Sequence, residues 1–213
     1  METTQALQKQ AERGDADALF RLGYRLAFGR TRPRPTDWAA VYPLWAQAAN
    51  AGHLRALFYV GVCHEHGRGT PTDLPEALRW YEKAARQGHD VAMYNLAFSY
   101  RTGEGMPQDY EQMHFWLAKA AKGGNPDAQR DLGWCFHEGC GIPTNFDRAV
   151  HWYKAAARQG DTKAQYNLGL SYLNGDGVKA SSRWGRFWLE KAAALGHRKA
   201  KVQLRRLSAS NNT

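Results

Sequence analysis

The chain has 213 residues, 43% of them hydrophobic and eight of them Trp, a composition that excludes a disordered chain and leaves room for one domain or a short array of repeats. No run approaches the roughly 18–20 apolar residues of a membrane span, and the opening METTQALQKQAERGD has neither a basic start nor an apolar stretch, so no signal peptide is expected. The net charge of +9 is concentrated at one end: residues 178–213 carry nine Lys or Arg against Glu190 alone, a balance of +8, while residues 1–177 balance to +1.

In chain order, residues 1–15 read as a lone leading helix. Five segments of one pattern follow: ALFRLGYRLAFGR from Ala18, ALFYVGVCHEHGRG from Ala56, AMYNLAFSYRTGEG from Ala92, AQRDLGWCFHEGCG from Ala128 and AQYNLGLSYLNGDG from Ala164. Each has a second half, such as EALRWYEKAARQGH or DRAVHWYKAAARQGD, and the step from one unit to the next is 38 residues once and 36 thereafter. The units span 16–52, 53–88, 89–124, 125–160 and 161–196. A closing helix at 197–208 and a disordered tail at 209–213 complete the single domain.

Ala, Leu and Gly or Ala at offsets 0, 4 and 5 of the first half draw one apolar stripe at helical period. The paired glycines, such as Gly67 and Gly69, stop that helix and supply a permissive turn. The second half repeats Trp, an adjacent Tyr or Leu, and Ala-Ala, and the Trp row (Trp80, Trp116, Trp152, Trp188) is assigned to packing between second and first helices. The polar residue after each closing glycine (His53, His89, Asn125, Asp161, His197) opens the next helix, where Asn and Asp are good caps. Two antiparallel helices per unit make an all-α solenoid in which no unit buries its stripe alone.

AMYNLAFSYRTGEGMPQDYEQMHFWLAKAAKGG and AQYNLGLSYLNGDG closely resemble the Sel1-like repeat, a relative of the tetratricopeptide repeat, and the likeness covers roughly residues 12–208. Two departures stand out: TRPRPTDW replaces the second glycine in the first unit, and Ser181 stands where the others carry Asp or Asn. The resemblance implies adaptor or scaffold work with no enzymatic chemistry. It also implies that first helices line a concave face, whose inward positions here are offsets 2, 6 and 9.

Offset 2 gives Phe20, Phe58, Tyr94, Arg130 and Tyr166; offset 6 gives Tyr24, Val62, Phe98, Trp134 and Leu170; offset 9 includes Arg101 and His137. So many aromatic side chains do not make a purely solvated face. They form either an open groove for a partner polypeptide or, where the offset-2 rings lean on the next repeat, inter-repeat core.

Cys135, His137 and Cys140 fall within six positions, yet a zinc site takes about four ligands and no fourth is specified. Cys135 aligns with Cys63, Ser99 and Ser171, a position that wants a small residue. No metal, cofactor or catalytic set is expected, and the sparse, odd cysteine count points to a reducing, cytoplasmic setting. The sequence therefore reads as a non-enzymatic adaptor that binds another protein or peptide. The alternatives are nucleic-acid or anionic-surface binding through the basic C-terminal region, and a dedicated neutralising or chaperoning partner of a secreted protein. Against nucleic acid, the basic residues make no stripe along the repeats.

Overall fold

A computed structural model describes residues 4–29 and 35–209. Among them are twelve α-helices and no strand: α1 (Thr4–Glu12), α2 (Ala16–Phe28), α3 (Trp38–Asn50), α4 (Leu54–His66), α5 (Leu74–Arg86), α6 (Asp90–Thr102), α7 (Tyr110–Lys122), α8 (Pro126–Glu138), α9 (Phe146–Arg158), α10 (Thr162–Asn174), α11 (Ser182–Ala194) and α12 (Arg198–Ala209). Each helix packs on the next in a first unit that ends at Gln108, and again in a second unit that begins at Asp109. This is an all-α solenoid of helix pairs.

Ala209, the first residue of the expected tail, belongs to α12; residues 210–213 of that tail, and residues 30–34, lie outside the described residues.

Local chemistry fixes the helix ends. Side chains of Asp15, His53, His89, Asn125 and Asp161 each accept the backbone N–H three residues on, and His197 does the same for Ala200. The junction residues are therefore caps, as their spacing implies. Gly67, Gly103, Gly139 and Gly175 end the first helices in the left-handed region. The second turn glycine serves close packing. A Cβ on Gly177 would collide with the Phe146 carbonyl oxygen, so only hydrogen fits between that turn and the start of α9.

In four of the repeats the core pairs a knob on the second helix with a hole on the preceding first helix. Trp45, Tyr81, Tyr153 and Leu189 are 0–2% exposed. They fill the space above Gly23, Gly61, Gly133 and Gly169, where an added Cβ would stand 2.6, 2.5, 2.7 and 2.9 Å from the facing side chain. The third repeat carries Ala97 and Leu117 in these two columns.

The Trp row packs as assigned at Trp116 and, against the Ala149–Leu168 cluster, at Trp188, but it is not the most deeply buried column. Trp116 is 5% exposed, but Trp80, Trp152 and Trp188 are only half-buried. Lys83, Lys119 and Lys191 lie over the rings of Trp80, Trp116 and Trp188. The residue after Trp80, Trp152 and Trp188 is the one that enters the hole.

Candidate functional site

Position on the first helices decides which candidate residues are available. Offset 2 faces the next repeat. Phe20 is 3% exposed and stacks on the cap His53, with ring centroids 4.6 Å apart; Phe58 stacks on His89 at 4.5 Å and Tyr166 on His197 at 4.7 Å. Burial lowers the His89 and His197 pKa values, which keeps each imidazole nitrogen free to accept the capping N–H.

Arg130 makes the same link by charge. Its guanidinium reaches Asp161, the next cap, at 3.0 Å, and also Asp127 at 2.5 Å and Asp131 at 2.8 Å. Burial alone would lower its pKa, but the bonds to Asp131 and Asp127 and the Asp161 charge outweigh that and raise it. Phe20 and Arg130 accordingly connect one repeat to the next. Phe58 and Tyr166 keep only partial exposure beyond their stacks.

Offset 6 points outward. Tyr24, Phe98 and Trp134 are 39, 41 and 37% exposed, and Val62 and Leu170 are half-buried. In the first unit Phe98 borders a cleft of about 460 Å³, with Tyr94, Asn95, Glu65, Tyr81 and Leu78 among its walls. Arg101, one turn along α6, lies 5.0 Å above the Phe98 ring. In the second unit His137 is half-buried, pairs with Glu138 at 3.0 Å and meets Phe146 edge-on.

Two polar features have no counterpart in the sequence-based expectations. The Tyr81 hydroxyl donates to the Glu65 carboxylate and also bonds Asn95; Tyr153 similarly bonds Asn167. Burial raises both tyrosine pKa values, so both hydroxyls stay protonated. The recurring Tyr-Asn pair at Tyr94-Asn95 and Tyr166-Asn167 was the available signal. The second feature is Arg55, whose guanidinium lies 4.8 Å above Phe20 and 5.5 Å above Tyr24.

The cysteines are placed for packing. Cys63 and Cys135 are 0 and 1% exposed in the small-residue column, and burial pushes the Cys63 thiol up to about 12. The Cys140 carbonyl accepts from His114 Nε2 at 2.5 Å. Among the described residues no three His, Cys, Asp or Glu side chains gather as metal ligands, and no helix is long and apolar enough to cross a membrane.

Comparison with known proteins supplies a family. A Sel1 repeat protein from Oxalobacter formigenes is 33% identical over 96% of the chain, with a TM-score of 0.88. The uropathogenic Escherichia coli protein c5321, described as a protective antigen with an SLR fold, is 30% identical over 96% of the chain, with a TM-score of 0.90. The chain spans 58% and 43% of the lengths of these two structures. The immunity protein Pa5087 of Pseudomonas aeruginosa, 23% identical over 87% of the chain and 67% of its own, shares the fold at a TM-score of 0.53. No match was found among the curated proteins. The Sel1 repeat model matches residues 16–37, 54–89, 90–125, 126–161 and 162–197, and proteins of this kind are generally scaffolds for protein–protein interaction. With five matches along the chain, four of them spanning whole helix pairs, the chain belongs to the Sel1 repeat family.

Proposed function

We propose that the protein is a non-enzymatic adaptor that holds a partner polypeptide on the outward positions of its first helices. The observation that carries this reading is the exposure of Tyr24, Phe98 and Trp134 at one repeat offset, between 37 and 41%, while their neighbours at offsets 0, 4 and 5 are buried. Large rings left in water at matching positions, with Arg101 against Phe98, have the composition of interface anchors. The Phe98 cleft adds hydrogen-bonding groups, Glu65 and Asn95, suited to a peptide backbone or polar side chain. A cytoplasmic setting is proposed on the sparse cysteine usage.

The test is affinity capture with the wild-type chain, followed by titration of the captured partner against Phe98→Ala and Trp134→Ala. Each substitution is expected to weaken binding about thirty-fold, the equivalent of about 2 kcal/mol, while circular dichroism stays helical. Wild-type affinity in both variants would overturn the reading.

A further inference from the structure

In the second unit, exposed rings and cations share one side of α11. Leu189 and Ala192 hold the inner side of this helix in the core. On the outer side Trp184, Phe187, Lys191 and the cap residue Leu195 follow at spacings of three, four and four, which is a single helical stripe. Trp184 is 48% exposed, Phe187 38% and Leu195 62%. The rings brace one another: Trp184 and Phe187 meet edge-on at 5.4 Å, and Lys191 lies 5.0 Å above the Phe187 ring. Arg183 and Arg186 flank the stripe. Lys179 stands in the turn before it and lines, with Tyr172, Val178 and Trp184, a cleft of about 470 Å³. Against these four cations, residues 175–195 carry two acids, Asp176 and Glu190. Among the described residues no carboxylate pairs with Lys179, Arg183, Arg186 or Lys191, and no side-chain hydrogen bond fixes the two arginines.

We infer that this side of α11 docks the protein onto an anionic lipid bilayer, with Trp184 and Phe187 at the headgroup level and Lys179, Arg183, Arg186 and Lys191 on the lipid phosphates. The inference goes beyond the adaptor reading and uses none of its residues. Among the described residues no helix is long and apolar enough to cross a membrane, so the contact is with the surface. A bilayer surface offers together an apolar boundary for rings that water solvates poorly and a sheet of negative charge for cations. Trp favours that boundary because its ring is apolar with one polar edge. Arg183 and Arg186 are held by no bond, so they can follow a diffuse array of phosphates. A carboxylate on an acidic protein is better met by an arginine already fixed in place. A nucleic acid also fits less well. Lys191 covers the Phe187 and Trp188 rings, and Phe187 and Tyr172 flank Trp184, so these rings are partly covered as platforms for stacked bases.

The test uses the full chain and sucrose-loaded vesicles, pelleted after mixing. The protein is expected to pellet with vesicles of equimolar phosphatidylserine and phosphatidylcholine, and to stay in solution with phosphatidylcholine alone. Arg183→Glu and Trp184→Ser are each expected to lower the partition coefficient about tenfold with helicity and melting temperature retained. If Trp184→Ser unfolds, Arg183→Glu decides alone, because that side chain is exposed. Arg79→Glu removes the same charge from the first unit and is expected to leave partitioning unchanged, as is Phe98→Ala. The inference is overturned if neither vesicle pellets the protein, if both do so equally, or if either folded α11 variant partitions like the wild type. It is also overturned if Arg79→Glu loses as much as Arg183→Glu, since net charge alone would then be acting. Oligothymidylate or polyglutamate, added at the vesicles' own concentration of anionic groups, is expected to leave the protein on the vesicles. Release by either overturns the inference, in favour of a nucleic-acid or an acidic-protein site.

Discussion

One methyl group on Gly133 would sit 2.7 Å from the Tyr153 ring and 3.0 Å from the Ala149 carbonyl. Alanine is the better helix former by about 1 kcal/mol, so an exposed glycine of α8 would gain from the change. Here overpacking wins: Gly133→Ala is expected to lower stability by about 1–3 kcal/mol, read by urea denaturation. An unchanged midpoint would mean that α8 and α9 part without cost. At His89 the decisive quantity is a proton. Nδ1 accepts the Ala92 N–H at 3.2 Å, and burial depresses the pKa below its ordinary value. The unfolded chain therefore binds more protons in the window between the depressed folded value and about 6.5, and stability falls as pH drops through that window. His89→Asn keeps a capping acceptor, as Asn125 does in its own repeat, and is expected to flatten the fall in melting temperature between neutral and mildly acidic solution. An equal fall in both proteins would show that the proton binds elsewhere.

Within a helix, adjacent positions have very different weights. Tyr153 of α9 is 2% exposed in the hole above Gly133, whereas its neighbour Trp152 is half-buried. Tyr153→Ala is expected to cost about 3–5 kcal/mol and Trp152→Ala about half as much, although Trp is the larger side chain. Reversed costs would restore the Trp row as the main core column. Helical period made the stripe, the caps and the turns legible, because each depends on residues within one turn or at one fixed offset. It did not separate Trp152 from Tyr153, since both lie near the edge of the same apolar stripe. Nor did it separate offset 2 from offset 6. That difference is made by the next repeat, where His53 stacks on Phe20 and Asp161 pairs with Arg130. The His and Asp were visible at their junction positions, but their second role, gripping the preceding first helix, follows only from the angle between helices. Arg55 was passed over because it falls just before the first position of the repeat pattern.

Across the whole molecule, charge is unevenly distributed along the chain. Most of the net charge of +9 belongs to residues 178–213, whereas Tyr24, Phe98 and Trp134 belong to the nearly neutral remainder. The basic end has a structural role of its own. Leu204 and Leu207 of α12 pack on Leu189, Ala192 and Ala200, while Lys199, Lys201, Arg205 and Arg206 are exposed. α12 therefore sets an apolar face on the α11 cluster and turns a charged face outward. If that is its main work, Arg205→Glu and Arg206→Glu together will shift stability by no more than about 0.5 kcal/mol, the usual range for surface substitutions. Leu204→Ala will lower the melting temperature clearly, because it uncovers the Leu189 cluster. Partner affinity in the charge-reversed protein will change less than in Phe98→Ala, and only at low salt, because exposed charges more than about 8–10 Å away are screened in ordinary buffer. A nucleic-acid role makes the opposite demand. Duplex binding would then fall steeply with salt and vanish in the charge-reversed protein, while Phe98→Ala and Trp134→Ala would bind normally. Measuring the charge-reversed and aromatic variants against both ligands over a salt series separates the two, because no single site satisfies both patterns.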